Sequence, residues 1–567
     1  MLPRLRTLSV VLRGPLRSLS TSSYLVGPKE PPQVRMTVGQ ALDETVRKDG
    51  NRVGFHFPGE DLSLTFSSFA EQVERLAQGL RSLDLEPGCR IGLLSPTCHR
   101  WIVSQFAVAK AGLVLVSIND KCHPKELSSV LKRAACSALI VGNGFKKTDH
   151  AQWARELVAN KKPPLDLPEY PDLKYLISLT PGNARGFLEF EEVLRIGDGP
   201  SRSYSRGEED PYSTVTMLQS SGSTGPPKLI PLNHFNVLNA IQMLKAMSGF
   251  SSERTLMCAV MPLFHTFGHI DLSIFGVVAG VPTVYLPQGA PHAQTLEAIQ
   301  RYRCTAIQGT PTTYYDLIQC REFDKYDISS LCEGIVGATS IQTSALEMIA
   351  EKLKIDNLMT AYGLTETAGP VAFGYRDKTG YHPAPHTEIR IVDAAGSVLP
   401  VGEVGEVQVR APSVFAGYWK HSVTGVYDDG WLPTGDQGAV TDQGTFEIKG
   451  RIKDLVIKGG VNISPEEVET ALLGHDAILE ASVVGVPDAR LGEEVCAWGK
   501  LREGATANIE ELQRHCRTKG NSLKVPRYVV IVDEFPRTSV GKVSKPDIRK
   551  AMAEKLNGTQ KAVSEAA

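Results

Sequence analysis

The sequence has no Cys-x-x-Cys pair. Its 10 cysteines are scattered, and Cys122-His123 is a lone neighbour pair with a structural reading. That distribution offers neither a zinc site nor a disulfide framework, so reduced thiols are expected. No apolar run looks long enough to cross a bilayer. The nearest, Leu272 to Leu286, is interrupted by Gly280-Val281-Pro282 and reads as a buried helix, a turn and a strand. Charge of one sign is also missing. Lys and Arg number 61 against 63 Asp and Glu, a net charge of −2, which gives no reason to expect nucleic-acid binding. Repeats and low-complexity tracts are absent. A hydrophobic content of 42% excludes global disorder. There remain 567 residues of ordinary globular composition, enough for at least two domains.

The one local charge bias is at the start. Arg4, Arg6, Arg13, Arg17 and Lys29 precede the first acid, Glu30. On a helical wheel Leu5, Leu8, Leu12, Leu16 and Leu19 share a stripe, and Arg6, Arg13 and Arg17 lie on another. Ser18, Ser20, Thr21, Ser22 and Ser23 follow. This Arg-rich, Ser-rich and acid-free pattern is that of a mitochondrial transit peptide over residues 1–30. Arg13 interrupts the only candidate for a secretory apolar core. The plain alternative is a disordered basic arm, in which Gly14-Pro15 would kink any helix.

Further along, Ser68-x-x-Glu71 matches a capping box, followed by Phe69, Val73, Leu76, Ala77, Leu80 and Leu83 at helical period. Arg90–Leu94 and Leu113–Ser117 read as short buried strands, with a helix from near His99 between them. Such alternation predicts a parallel α/β sheet. After about Pro385 the texture becomes β-rich: Glu388–Asp393, Gly405–Arg410, Gly438–Thr441 and Gly444–Lys449 are strands separated by glycine turns. A smaller α+β unit begins after Gly450. There Ser464-Pro465-Glu466-Glu467 combines an N-cap, a first-turn proline and a capping-box Glu.

Five stretches bear on chemistry. Gln219-Ser220-Ser221-Gly222-Ser223-Thr224-Gly225-Pro226-Pro227-Lys228 lies between an apolar strand and a helix-like run from Asn233. Its glycines let backbone N–H groups turn toward an anion, its hydroxyls add donors, and Lys228 adds a positive charge, which suits a polyphosphate. It is not a Walker A loop, because Lys228 follows Pro227 and precedes Leu229. The plain alternative is a Ser/Gly linker. In Tyr362-Gly363-Leu364-Thr365-Glu366-Thr367, a carboxylate beside hydroxyls can hold Mg2+ on a nucleotide phosphate; alternatively Glu366 is a solvated surface acid. In Trp431-Leu432-Pro433-Thr434-Gly435-Asp436, Asp436 is either a turn former or an acceptor for two sugar hydroxyls. Gly450-Arg451-Ile452-Lys453-Asp454 to Gly459-Gly460 is the fourth stretch. Pro536-Arg537-Thr538-Ser539-Val540-Gly541-Lys542 is the fifth.

In order and spacing these five stretches resemble the adenylate-forming superfamily of acyl-CoA synthetases, luciferases and adenylation domains. Pro262-Leu263-Phe264-His265, Gly309-Thr310-Pro311-Thr312 and Gly417-Tyr418-Trp419 add to the resemblance, which runs from about Val38 to Lys550. Among branches the chain is most similar to the mitochondrial medium-chain acyl-CoA ligases. The resemblance implies an α/β fold with a large N-terminal AMP-binding domain over 31–450, built from α/β sheet subdomains and a β-rich subdomain. A small mobile α+β lid over 451–555 and a tail over 556–567 would follow.

It also implies roles. Ser220 to Lys228 would hold ATP phosphates. Gly337, Ala338 and Thr339 would line the adenine pocket, with Tyr362 stacked on the base. Thr365 and Glu366 would serve phosphate and Mg2+. Asp436 would hold the ribose, with Arg451 nearby. Lys453 would be the hinge, Lys542 the adenylation lysine, and Gly459-Gly460 the border of the CoA channel. His265, Phe267 and Gly268 would shape the acyl pocket. Asp271, beyond them, would favour an amine-bearing or hydroxylated acid if it faced the pocket; otherwise it would cap a helix or face water.

The chain departs from the usual Thr-Ser-Gly-Thr-Thr-Gly-x-Pro-Lys-Gly loop. Ser220 and Ser223 replace threonines and keep the hydroxyl. Leu229 replaces the last glycine and threatens to crowd the backbone after Lys228. Ala411 stands where a glycine is common. The implied reaction joins a carboxylic acid to AMP from ATP and then to CoA, in the mitochondrial matrix. Alternatives are a carrier-domain partner, a luciferase-like oxygenase, a ligase for aromatic or amine-bearing acids, and a non-catalytic nucleotide-binding relative. The tail after Lys542 is too short for a carrier domain, and the chain ends Ser-Glu-Ala-Ala rather than Ser-Lys-Leu.

Overall fold

The computed structural model describes residues 21–565 apart from 145–148, 159–162, 183–185, 200–209, 221–226, 288, 340, 342, 377–378, 422–424, 489, 520–521 and 539–540. The basic N-terminal stretch up to residue 20 and the middle of the Ser/Gly loop, Ser221 to Pro226, lie outside the described residues. Two compact units are present. Val26–Glu388 and Arg410–Leu432 form the first; Ile389–Val409, Pro433–Ala567 and the described part of Ser18–Leu25 form the second.

The first unit is built on two sheets. In one, Asn357–Leu364, Glu333–Val336, Ala306–Gly309, Met257–Ala259, Thr283–Tyr285 and Val53–Phe57 run parallel in that spatial order. The other is seven-stranded, with the order Leu229–Asn233, Thr214–Gln219, Val114–Ser117, Arg90–Leu94, Cys136–Val141, Tyr175–Ser178, Leu188–Glu189. It is parallel except at the first pair. Burial on both faces explains why these strands are apolar runs rather than alternating ones: Ile91, Leu93 and Leu94 are all buried, as are all six residues of Cys136–Val141.

Helices Phe66–Ser82 and His99–Lys110 present Phe66, Phe69, Val73, Leu76 and Leu80, and Trp101 and Phe106, to one apolar cluster that also takes in Phe55, Ile91 and Tyr285. The first of these helices starts earlier than its Ser68-x-x-Glu71 pattern suggests. Thr65 is the N-cap: its side chain accepts from the Ser68 N–H at 3.1 Å, and the Ser68 hydroxyl accepts from the Thr65 N–H at 3.0 Å. The preceding strand ends at Thr65, and starting there buries Phe66 as well as Phe69. A cap of this kind contributes about 1 kcal/mol. Leu272 to Leu286 is the expected helix, turn and strand. His269–Ile274 forms a widened helical turn, Phe275–Val278 continues it, Gly280 turns with φ +65°, and Thr283–Tyr285 is a strand.

In the second unit, strands Glu388–Val392, Gly405–Arg410, Leu432–Val440 and Phe446–Arg451 are successive neighbours. A five-stranded sheet follows, in which Gly492–Leu501 pairs antiparallel with Ile478–Asp488 and parallel with Tyr528–Ile531. Helices Pro465–Leu473, Ile509–Lys519 and Lys545–Glu565 belong with it. The expected capping box at Ser464 does not form. The Ser464 hydroxyl donates to the Lys449 carbonyl at 2.8 Å and to Glu466 at 2.9 Å, tying the helix start to strand Phe446–Arg451 instead. The architecture is the α/β arrangement of a large sheet-based N-terminal part and a smaller part of strands and helices. Among the described residues no helix is long and apolar enough to cross a membrane.

Candidate active site

Strands Thr214–Gln219 and Leu229–Asn233 pair antiparallel, with Gln219 opposite Leu229, so residues 220–228 join two neighbouring strands. The loop is closed at its base from both sides. The Ser220 N–H donates to the Lys228 carbonyl at 3.0 Å, and the Lys228 N–H donates to the Ser220 hydroxyl at 3.0 Å. Leu229 does not crowd this turn. It begins the second strand and packs, 4% exposed, in a core with Val116, Leu139 and Met217. Arg133 reaches the same place from helix Pro124–Ala134 and donates to the Pro227 carbonyl at 2.7 Å. The Lys228 ammonium lies 4.2 Å from the centre of the Tyr418 ring.

The Thr-Glu motif is a single helical turn, Thr365–Thr367, at the end of strand Asn357–Leu364. The Thr367 hydroxyl donates to the Leu364 and Gly369 carbonyls, which shapes the turn. Glu366 accepts a hydrogen bond from the Tyr418 hydroxyl at 2.9 Å. Burial, and then the nearby Glu366 charge, push the Tyr418 phenol up, so it keeps its proton and donates. Tyr362, on the same strand, sits 5.9 Å from the Tyr381 ring. Among the described residues no group of three or more His, Cys, Asp or Glu is placed to hold a metal ion. A Mg2+ at Glu366 would therefore take its remaining ligands from phosphate and water, which suits that ion.

Gly337 and Ala338 follow strand Glu333–Val336, and the Gly337 N–H is held by the Gly309 carbonyl at 3.0 Å. Ala338 takes φ +71°, an uncommon backbone for a residue with a side chain. Thr339 is exposed next to it. Phe267 packs on this turn: a Cβ placed on Gly337 would lie 3.4 Å from its ring. The expected adenine wall and acyl-pocket wall are thus neighbours. His265 caps the short helix Thr266–Gly268 by accepting from the Phe267 N–H at 3.3 Å, and both Phe267 and Gly268 are buried. Asp271, one turn on, neither caps a helix nor faces water. It is 4% exposed, its Oδ1 has no hydrogen-bond partner among the described residues, and burial pushes its carboxyl well above the usual range.

The second unit holds the other expected residues. Asp436 lies on strand Leu432–Val440 rather than in a turn, directly opposite Arg451 in register, and the two form an ion pair at 2.9 Å. Lys542 belongs to this group. Burial lowers its pKa to about 8, with the Arg451 charge acting in the same direction and Asp436 against them. Its loop is pinned: the Thr538 N–H donates to the Lys542 carbonyl at 2.7 Å, and the Arg537 guanidinium pairs with Glu480 at 2.8 Å. Lys453 sits in the single turn Ile452–Asp454 that follows Arg451, and burial lowers its pKa as well. Gly459 and Gly460 are the two central residues of a hairpin between Val456–Lys458 and Val461–Ile463. Their φ values of +58° and +81° are what a two-residue hairpin turn requires. Each unit therefore gathers its own share of the expected residues: Lys228 and Glu366 in the first, Asp436, Arg451 and Lys542 in the second. Tyr418 and Arg133 had no role in the sequence reading beyond the Gly417-Tyr418-Trp419 signature, because no spacing links them to Lys228 or Glu366.

Comparison with known proteins places the chain in a family. A model of the AMP-binding enzyme family matches residues 42–419, and a model of the AMP-binding enzyme C-terminal domain matches 467–542. The chain is 32% identical to the mitochondrial medium-chain acyl-CoA ligase ACSF2 of Homo sapiens, over 94% of this chain and 90% of that protein. It is also 32% identical to YngI of Bacillus subtilis, over 92% of this chain and 98% of that protein. Among solved structures, ATP-bound MatB from Rhodopseudomonas palustris shares the fold with a TM-score of 0.79 at 24% identity, covering 91% of this chain and 99% of that one. The anthranilate CoA ligase AuaEII, in complex with anthranoyl-AMP, shares it with a TM-score of 0.80 at 24% identity, covering 91% and 97%.

Proposed function

Since the chain belongs to the AMP-binding enzyme family and is an ATP-dependent acyl-CoA ligase, we propose that its substrate is a medium-chain fatty acid and that it works in the mitochondrial matrix with Mg2+ and CoA. The reaction has two halves. A carboxylate oxygen attacks the α-phosphorus of ATP, forming acyl-AMP and releasing pyrophosphate. The CoA thiol then attacks the acyl carbon, the bond to AMP breaks, and the thioester forms. The first half needs no general base, because the acid is already ionised at neutral pH. It needs two anions held together and the charge growing on the phosphoryl oxygens neutralised. Lys228 and Lys542 supply that positive field, and Ser220 to Pro227 supply hydroxyl and backbone donors. Mg2+, held by Glu366, would neutralise further phosphate charge. Asp436 accepts from the ribose hydroxyls, and Gly337, Ala338, Thr339 and Tyr362 border the adenine.

The observation that carries the adenylation reading is the group of Lys542, Arg451 and Asp436, where a half-buried lysine is close enough to Arg451 and the proposed ribose carboxylate to feel both charges. Thioester formation requires Lys542 to be withdrawn so that a thiol can reach the acyl carbon. Lys453 serves as the hinge for that movement, and Gly459-Gly460 border the pantetheine path. Medium chain length rests on the relatives, and the matrix on those relatives together with the acid-free Arg/Leu stripes of residues 1–30. A fluorescent fusion of residues 1–35 that stayed in the cytosol would remove the matrix assignment.

A second reading, an acid with a hydroxyl or amine on its tail, is favoured by Asp271, whose buried Oδ1 has no partner among the described residues. A panel of acids from acetate to palmitate, with hydroxyoctanoate, anthranilate and free amino acids, assayed for CoA-dependent AMP formation, decides between them. Highest kcat/KM with octanoate or its near homologues supports the first reading. Preference for a hydroxylated or amine-bearing acid supports the second, and preference for acetate or palmitate overturns both.

A further inference from the structure

Lys228 and Glu366 are far apart in sequence and opposite in charge, and no ion pair joins them among the described residues. A direct pair would be a fault, because each charge would be spent on the other rather than on phosphate and metal. What lies against both is one side chain, Tyr418. Its hydroxyl donates to Glu366 Oε1 at 2.9 Å, and its ring faces the Lys228 ammonium at 4.2 Å from the centroid. The ring face attracts a cation and the phenolic O–H satisfies an anion, so the tyrosine meets both charges without neutralising either.

The segment that bears Tyr418 is anchored at several points. The Phe415 N–H donates to the Glu366 carbonyl at 2.9 Å, so backbone and side chain of Glu366 are held by residues three apart. The Trp419 N–H donates to the Leu229 carbonyl at 3.0 Å, next to Lys228. Asn236, in the helix after the loop strand, donates to the Pro412 and Val414 carbonyls at 2.9 Å each. The Phe415 ring stands edge-on to Tyr418 with centroids 4.9 Å apart. The stretch 412–419 thus fastens the phosphate-loop exit to the Thr-Glu turn, and Tyr418 sits where the two meet.

We propose that Tyr418 is a positioning residue for Mg·ATP, orienting the Glu366 carboxylate through its hydroxyl while its ring keeps the Lys228 ammonium apart from that carboxylate. The hydroxyl takes one lone pair of Oε1 and fixes how the carboxylate is turned, leaving the rest of it able to hold a cation. This rests on the assignment of Glu366 to the metal. Tyr418→Phe removes only the oxygen and keeps the ring against Phe415 and Lys228, so the fold is retained.

The test is ATP binding by calorimetry with no acid present, once with Mg2+ and once with EDTA, so that it does not depend on which acid is the substrate. The readout is the factor by which Mg2+ tightens ATP binding. Tyr418→Phe should reduce that factor by about ten- to hundredfold, the effect of one hydrogen bond to a charged group. Glu366→Gln should also reduce it, and the double variant should be no worse than Glu366→Gln alone. An unchanged or larger factor in Tyr418→Phe, with Glu366→Gln impaired, overturns the role of Tyr418 and leaves that of Glu366 standing. Additive losses in the double variant overturn it too, because Tyr418 would then act independently of the carboxylate. An unchanged factor in Glu366→Gln overturns the metal assignment and the proposal with it.

Discussion

Adenylation should fail as pH rises through about 8, and it should do so because of Lys542. Burial and the Arg451 charge hold its ammonium at a pKa of about 8, against the pull of Asp436. A lysine whose pKa is depressed is charged below that value and neutral above it. With a pKa near 8, about nine-tenths of the side chain is protonated at pH 7 and about one-tenth at pH 9. If the rate of acyl-AMP formation follows the charged fraction, kcat/KM for ATP should fall about tenfold over that range. The quantity kcat/KM reports the free enzyme, whose surroundings set the value of about 8. Bound phosphates favour the charged form, so kcat should decline at higher pH than kcat/KM. The assay is pyrophosphate release without CoA, which isolates the first half-reaction. Lys542→Arg should flatten the decline, since a guanidinium stays protonated throughout, though at a lower rate because its geometry differs. A wild-type profile that is flat from pH 7 to 9, or an equal decline in Lys542→Arg, would refute the assignment.

Other outcomes follow from the same arrangement. Lys542→Ala should slow acyl-AMP formation by two to three orders of magnitude, corresponding to about 2.7–4 kcal/mol for one transition-state donor, while conversion of supplied acyl-AMP and CoA to thioester stays largely intact. Lys453→Pro should impair the second half more than the first, because a fixed φ restricts rotation at the hinge; equal impairment of both halves by either variant would contradict the moving-domain account. Gly369→Ala should lower unfolding stability by about 1–3 kcal/mol, measured by urea titration, because Gly369 has φ +125° and a Cβ there would lie 2.6 Å from the Asp271 carboxylate. A midpoint equal to wild type would show that the Thr-Glu turn relaxes freely.

Periodicity made much of the scaffold legible. Arg90–Leu94 is the strand its apolar run predicts, and Leu272 to Leu286 divides at Gly280 as expected. Local signals erred where a neighbouring element decided the outcome. Ser68-x-x-Glu71 was outcompeted by Thr65, because the end of a paired strand sets where the helix begins. Ser464 gave its hydroxyl to the Lys449 carbonyl rather than to its own helix. Leu229 looked like a misfit only while the following residues lacked a strand; once Leu229–Asn233 pairs with Thr214–Gln219, an apolar residue belongs there. The site residues stood out as motifs, but their partners did not. Asp436 and Arg451 meet by antiparallel register, and Tyr418 reaches Glu366 and Lys228 only through the fold. Asp271 was legible as a residue to watch, yet its complete burial depends on Gly369 leaving room for its carboxylate.

The central claim is that the acid's carboxylate attacks the α-phosphorus and that acyl-AMP is the intermediate. The most direct measurement follows the oxygen. The acid turned over fastest is labelled with 18O in its carboxylate, reacted with ATP and CoA, and the products are analysed by mass. The account predicts one 18O atom in each AMP, none in pyrophosphate, and a thioester retaining the other. Unlabelled AMP, or label in pyrophosphate or inorganic phosphate, would contradict it.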